Sequence, residues 1–174
     1  MKVILIGNAG TGKSTLARRL RATTGWPLLS LDRIWHAMDY SHVAKLKFAQ
    51  AQRAFMAAHS DWLIDGNYGS TLPLRLAEAD LVVWVQCPRL LAIARVLRRS
   101  WRFRRDPTTR PDMAPGFTER LDREYWAFLR YVWAYDRRAQ TQIVPLLAGH
   151  RVVVVRTARQ KRALLRKIHA GHAV

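Results

Sequence analysis

Residues 3–15 read VILIGNAGTGKST, a short apolar run that passes at once into a glycine-studded turn ending in Lys13-Ser14-Thr15. The segment from Gly7 to Ser14 fits the spacing G-x-x-x-x-G-K-[ST], and each part of it has a physical task. Gly7, Gly10 and Gly12 permit backbone angles that a side chain forbids, and let the main chain come close to a phosphate. The N–H groups of Gly7, Asn8, Ala9, Gly10, Thr11, Gly12, Lys13, Ser14 and Thr15 can then turn inward as an anion nest. A helix starting near Lys13 adds its unpaired N–H groups and the positive end of its dipole. The Lys13 ammonium reaches the β- and γ-phosphates in this arrangement, and the Ser14 hydroxyl ligates Mg²⁺. A strand directly before the turn and a helix directly after it are the context that gives the spacing its meaning. The ligand expected is a nucleoside triphosphate with its magnesium ion.

Outward from this segment, four further apolar runs appear at residues 27–31, 62–64, 81–85 and 152–155. They are rich in Val, Ile and Leu and lack clean alternation, the signature of strands buried on both faces of a parallel sheet. Between them lie segments with helical spacing, at 13–21, 43–59, 89–101, 118–138 and 158–170. Leu46, Phe48 and Phe55 are the expected apolar anchors of the second, and Leu121, Tyr125, Phe128, Leu129 and Val132 form one stripe on the fourth. Strands alternating with helices imply right-handed βαβ units, hence an α/β chain with helices on both faces of its sheet. Residues 102–117, RFRRDPTTRPDMAPGF, hold three prolines and a glycine and are expected to be irregular. A long irregular insertion of this kind in a compact domain is usually functional. No linker divides the chain, so residues 1–174 are expected to form one domain.

A triphosphate site needs an acid near the metal, at the carboxyl end of a neighbouring strand. Asp65 follows Trp62-Leu63-Ile64 and is the candidate for placing Mg²⁺ or its water. Asp32 follows Leu28-Leu29-Ser30-Leu31 and points to the crevice where ligands of open α/β sheets bind. It can accept a proton from a substrate hydroxyl or bind substrate directly. Trp35, three residues on, is either a wall of that acceptor pocket or core. Asp80 opens its strand at the amino end and reads as structural.

The charge balance is lopsided, with 30 Lys+Arg against 12 Asp+Glu and a formal net charge of +18. Such a surface attracts polyanions. Arg89, Arg95, Arg98, Arg99, Arg102, Arg104, Arg105 and Arg110 cluster with a single acid, Asp106. Arg95, Arg98, Arg99 and Arg102 fall on one helix face, and Arg95 and Arg99 are the candidates for stabilising transferring phosphate. A lid that closes over phosphates, a nucleic-acid footprint using Trp101 and Phe103, and a solvated helix are the three readings of this stretch. The lone Cys87 excludes an intrachain disulfide and is expected to be a buried thiol. The six histidines show no metal-ligand spacing, and no apolar run approaches the ~18–20 residues of a membrane span. A cytoplasmic protein is expected.

GNAGTGKST at 7–15, Leu31-Asp32 followed by Trp35, WLIDGNY at 62–68 and ADLVVWVQCPR at 79–89 together resemble P-loop kinases of the adenylate/shikimate kinase type. TRPDM at 109–113 and the stretch around Leu121–Trp133 make the chain similar to the bacterial DNA topology modulation proteins, FlaR-like. The resemblance implies a three-layer α/β/α P-loop NTPase fold with a five-stranded parallel sheet of order 2-3-1-4-5. It also implies a lid over residues 99–117 and an ATP-dependent phosphotransferase acting on a small molecule or nucleotide. The loop Arg156-Thr157-Ala158-Arg159 is then expected against the adenine. One departure matters. Nucleoside monophosphate kinases usually carry DGFPR where this chain has Asp65-Gly66-Asn67-Tyr68, so the arginine that holds an acceptor phosphate is missing.

Overall fold

The five apolar runs become five parallel strands, β1 (Lys2–Gly7), β2 (Leu28–Ser30), β3 (Trp62–Asp65), β4 (Leu81–Val85) and β5 (Val152–Val155), in the order β2-β3-β1-β4-β5. The computed structural model describes residues 1–109 and 122–170. Successive side chains of a strand face opposite ways, and β1 feeds two separate cores accordingly. Ile4 and Ile6 join the core with Phe48, Met56, Leu72 and Tyr135. Val3 and Leu5 join the other, with Leu16, Leu20, Leu164 and Ile168. Helices α1 (Lys13–Thr24) and α7 (Ala158–His169) therefore cover one face. Helices α2 (Leu31–Trp35), α3 (His42–Ala57), α4 (Leu72–Leu76) and α6 (Arg123–Gln142) cover the other. Helix α5 (Arg89–Arg105) runs from β4 and packs along α6. The result is the three-layer α/β/α arrangement and strand order of P-loop kinases.

Register sets the site. Ser30 and Leu5 both pair with Asp65, and Gly7 pairs with Val85, so the carboxyl ends of β1, β2 and β3 finish side by side. At the opposite edge the Lys2 N–H donates to Asp80, 2.7 Å away, which gives that acid the structural part expected of it.

Several local expectations are corrected. The second run is strand only over Leu28–Ser30, and Leu31 already begins α2, so Asp32 sits in the first turn of a short helix. In α3 Phe48 and Phe55 pack on the core as expected, joined by Ala44 and Met56, while Leu46 is 56% exposed. Residues 102–105, expected to be irregular, are the last turn of α5. Arginine is a good helix former, and the helix ends at Asp106 in an extended conformation (φ −146°, ψ 100°), the one favoured by a residue that precedes proline. Pro107–Thr109 makes one 3-10 turn. The rest of the expected insertion, and Leu121, lie outside the described residues. Helix α6 is capped by Asp122, whose carboxylate accepts the Tyr125 N–H, and it continues four residues beyond its expected end at 138. Cys87 is half-buried just past β4, with desolvation pushing its thiol pKa upward. No described helix is long and apolar enough to cross a membrane.

Candidate active site

The turn from Gly7 to Gly12 wraps the carboxyl end of β1. A Cβ on Gly7 would lie 2.2 Å from the Val85 carbonyl oxygen, and one on Gly10 would lie 2.3 Å from that of Ala92. Only glycine lets the loop press this closely on β4 and α5, at left-handed φ values. Ala9 and Gly10 form the apex of the turn. Thr11 closes it, its hydroxyl donating to the Asn8 carbonyl (2.7 Å). The first helical bond of α1 runs from the Leu16 N–H to the Gly12 carbonyl (3.0 Å). The N–H groups of Lys13, Ser14 and Thr15 therefore find no carbonyl within the helix and are available to an anion.

Three contacts lock this loop from outside. The Asn67 side chain grips Gly7 from both sides, accepting its N–H and donating to its carbonyl, each at 2.9 Å. The Tyr135 hydroxyl donates to the same Asn67 oxygen at 3.3 Å. The Asn8 amide donates to the Val132 carbonyl of α6 (2.7 Å), and the ammonium of Lys161 on α7 donates to the Thr11 carbonyl. Lys161 is half-buried and lies near Arg95, and both desolvation and that like charge lower its pKa. A cavity of about 250 Å³ opens beside the loop, between Thr15, Arg19, Arg95 and Lys161.

Lys13 and Asp65 form an ion pair at the mouth of β1 and β3, with only 10% and 4% of their side chains exposed. Half-buried Ser14 follows in the first turn of α1. Among the described residues no cluster of three His, Cys, Asp or Glu exists. Magnesium does not require one, because it takes one or two protein ligands and completes its shell with water and phosphate oxygens. A hydroxyl and one buried carboxylate fit that requirement.

The second carboxylate lies just past the end of β2, whose Ser30 pairs with Asp65. Asp32 is half-buried and accepts the Tyr68 hydroxyl at 2.9 Å. Burial, and then the Asp32 charge, raise the Tyr68 pKa, so this phenol stays protonated as a donor. Tyr68 is held at φ 32°, ψ 72°, a left-handed conformation that costs a non-glycine residue about 1–2 kcal/mol. The loop that carries it is secured by Arg75, which is fully buried. The Arg75 guanidinium donates to the carbonyls of Gly66 (2.9 Å), Asn67 (2.6 Å), Tyr68 (3.1 Å) and Thr71 (3.3 Å). Burial lowers its pKa to about 10, which leaves it cationic at neutral pH.

The expected arginines divide. Arg95 is exposed and donates to the Gly10 carbonyl at 3.4 Å, on the rim of the cradle. Arg99 lies one turn further along, half-buried, its Nε without a hydrogen-bond partner among the described residues; no described contact brings it to the loop. Arg156 is exposed, its Nε donating to Gln86 (3.0 Å), beside a capping box in which Thr157 and Gln160 start α7. Helices α1, α5 and α7 carry no Asp or Glu at all, so the cradle is surrounded by cationic surface.

No protein-family model matches the chain, and no curated protein does either. Solved structures do. A candidate kinase from Chloroflexus aurantiacus J-10-fl superposes with a TM-score of 0.62 at 18% identity, covering 99% of this chain and 97% of its own. Shikimate kinase from Acinetobacter baumannii, in complex with shikimate, gives 0.56 at 17% identity, covering 95% and 89%. Deoxyadenosine kinase from M. mycoides with bound dATP gives 0.56 at 15% identity, covering 97% and 98%. Likeness at these identities establishes the P-loop kinase fold.

Proposed function

We propose that this chain is an ATP-dependent phosphotransferase that moves the γ-phosphoryl group to a hydroxyl of a small acceptor. The observation that carries the reading is the buried Lys13–Asp65 pair beside the amide cradle, with a second carboxylate, Asp32, just past the end of the strand that pairs with Asp65's own. Lys13 exchanges its contact with Asp65 for the β- and γ-phosphates, and Asp65 and Ser14 are then free to hold Mg²⁺. Bound magnesium neutralises phosphate charge as it develops. Asp32 takes the acceptor proton while the acceptor oxygen bonds to phosphorus, the β–γ bridging bond breaks and ADP leaves. Arg95, at the cradle rim, and Arg99 are the cations proposed to face the transferring group, with the 99–117 segment as a lid. The loop beginning at Arg156 borders the base. One domain, residues 1–174, holds all of these parts.

Transfer of label from γ-labelled ATP to hydroxyl acceptors tests this reading. Asp32→Asn is expected to lower transfer about 10²- to 10⁴-fold with ATP affinity retained, the usual weight of a general base. Full transfer by that variant would remove Asp32 from the role. The acid-free helices α1, α5 and α7 favour a second reading, a nucleic-acid-associated ATP-binding protein of the topology-modulating kind. It requires DNA affinity that falls with salt at a log–log slope of about −0.9 per phosphate contacted, and an affinity indifferent to salt would discard it.

A further inference from the structure

We infer that the acceptor carries no phosphate or carboxylate, and is an uncharged alcohol bearing a planar ring, of the nucleoside class. The inference rests on the phosphotransferase reading and concerns what the Asp32 side of the crevice can hold.

Three observations carry it. Asp32 forms no ion pair among the described residues; its hydrogen-bond partner is the neutral Tyr68 hydroxyl. A half-buried carboxylate without a cation repels an anionic group brought within a few ångströms, and in a partly desolvated crevice that repulsion is weakly screened. The arginine of α4 that supports the adjoining loop, Arg75, is turned toward that loop's backbone. It is fully buried beneath residues 66–68, and its donors are spent on four backbone carbonyls. It cannot reach an acceptor anion without breaking the loop that presents Tyr68. The side chains packed beside the Asp32–Tyr68 pair are aromatic, half-buried Trp35 and exposed Tyr40 above the buried Phe48. Trp35 meets Tyr68 edge-on at 6.1 Å between ring centroids, Tyr40 at 5.6 Å and Phe48 at 5.2 Å, and Phe48 lies 4.8 Å from Tyr68. Tyr40 is 53% exposed at the edge of this cluster. On the α6 side Arg138 is exposed and stacks over the Tyr131 ring, 5.2 Å from its centroid, without an ion pair to Asp32. Accessible aromatic surface on Trp35, Tyr40 and Tyr68 beside one hydroxyl-accepting carboxylate suits a flat heterocycle with an attached alcohol.

Matched pairs test the charge and ring requirements together. The acceptors are adenosine and thymidine, each against its own 5′-monophosphate, with shikimate and glycerol as a ringed carboxylate and a ringless alcohol. Transfer from γ-labelled ATP, with calorimetric binding in the presence of a non-hydrolysable ATP analogue, is expected to favour each nucleoside over its monophosphate at least tenfold. Shikimate and glycerol are expected to be poorer still. In Asp32→Asn, where the repulsion is gone, binding of the monophosphate is expected to improve relative to the nucleoside by about tenfold. Trp35→Leu is expected to weaken nucleoside binding about tenfold or more, the usual effect of removing a stacking ring, with ATP binding serving as the control for folding. Preference for a monophosphate or for shikimate, or no saturable nucleoside binding at 10 mM, overturns the inference; so does a nucleoside-to-monophosphate ratio that Asp32→Asn leaves unmoved. ATP binding and its dependence on Lys13 report separately on the phosphotransferase reading, so either can fail without the other.

Discussion

Lys13→Met is expected to abolish phosphoryl transfer, by a factor of about 10³ or more, and to destabilise the fold by about 3–5 kcal/mol at the same time. The two losses have one origin. Lys13 is the ammonium that neutralises Asp65, and both are almost fully removed from water. Deleting the cation leaves a carboxylate buried without compensation, which costs far more than an exposed pair would. The phosphates lose their only side-chain cation within the loop. Its other donors are backbone amides, which hold the ground state and cannot follow charge onto the β–γ bridge. Adding Asp65→Asn separates the effects. The double variant is expected to regain most of the stability in urea denaturation, because no orphaned charge remains, and to stay inactive. A double variant as unstable as Lys13→Met would place the stability loss elsewhere than in the orphaned carboxylate.

Arg75→Leu is expected to cost about 3–5 kcal/mol and to impair ATP and acceptor binding together, although Arg75 is in contact with neither site. The substitution removes donors from the carbonyls of Gly66, Asn67, Tyr68 and Thr71 and supplies none. Tyr68 then loses the support that keeps it in a left-handed conformation, and its hydroxyl leaves Asp32. Asn67, in the same loop, relaxes its two-sided hold on Gly7. Arg75→Lys is expected to recover part of the stability and little of the binding, because an ammonium lacks the planar fork that serves several carbonyls at once. Denaturation midpoints with separate KM values for ATP and acceptor check this. Unchanged KM values in a folded Arg75→Lys protein would reduce Arg75 to a stabilising part alone.

Much of this was legible in residue order. Strands buried on both faces leave continuous Val, Ile and Leu runs, as β1, β3 and β4 do, and the half-buried edge strands β2 and β5 keep enough of the same pattern to be readable. The cradle was readable because its geometry demands glycine at fixed spacing. Strand order follows from no periodicity; it came with the family resemblance and agrees with the sheet observed. Arg75 was invisible, since an arginine between leucines in Leu72–Leu76 reads as the solvent-facing position of an amphipathic turn. Its burial depends on carbonyls several residues upstream, which no local pattern encodes. Asn67 and Tyr68 were inside a quoted motif, yet their partners, Gly7 and Asp32, are 60 and 36 residues away in the chain. Helix α5 outruns its expected end because a proline disturbs its own turn and the residue before it, which leaves residues 102–105 free to stay helical.

The absence of acids from α1, α5 and α7 has a kinetic meaning. A polyanionic nucleotide drifting near this side of the molecule feels a field that slopes toward the cradle before any hydrogen bond forms. A field of this kind hastens capture of a polyanion by about one to three orders of magnitude over a neutral surface of the same shape, and dissolved ions shorten its reach to roughly 8 Å at physiological strength. The carboxylates at the mouth of the cradle are Asp65, neutralised by Lys13, and Asp32 beyond it, while the flanking helices add no negative charge of their own to oppose an incoming anion.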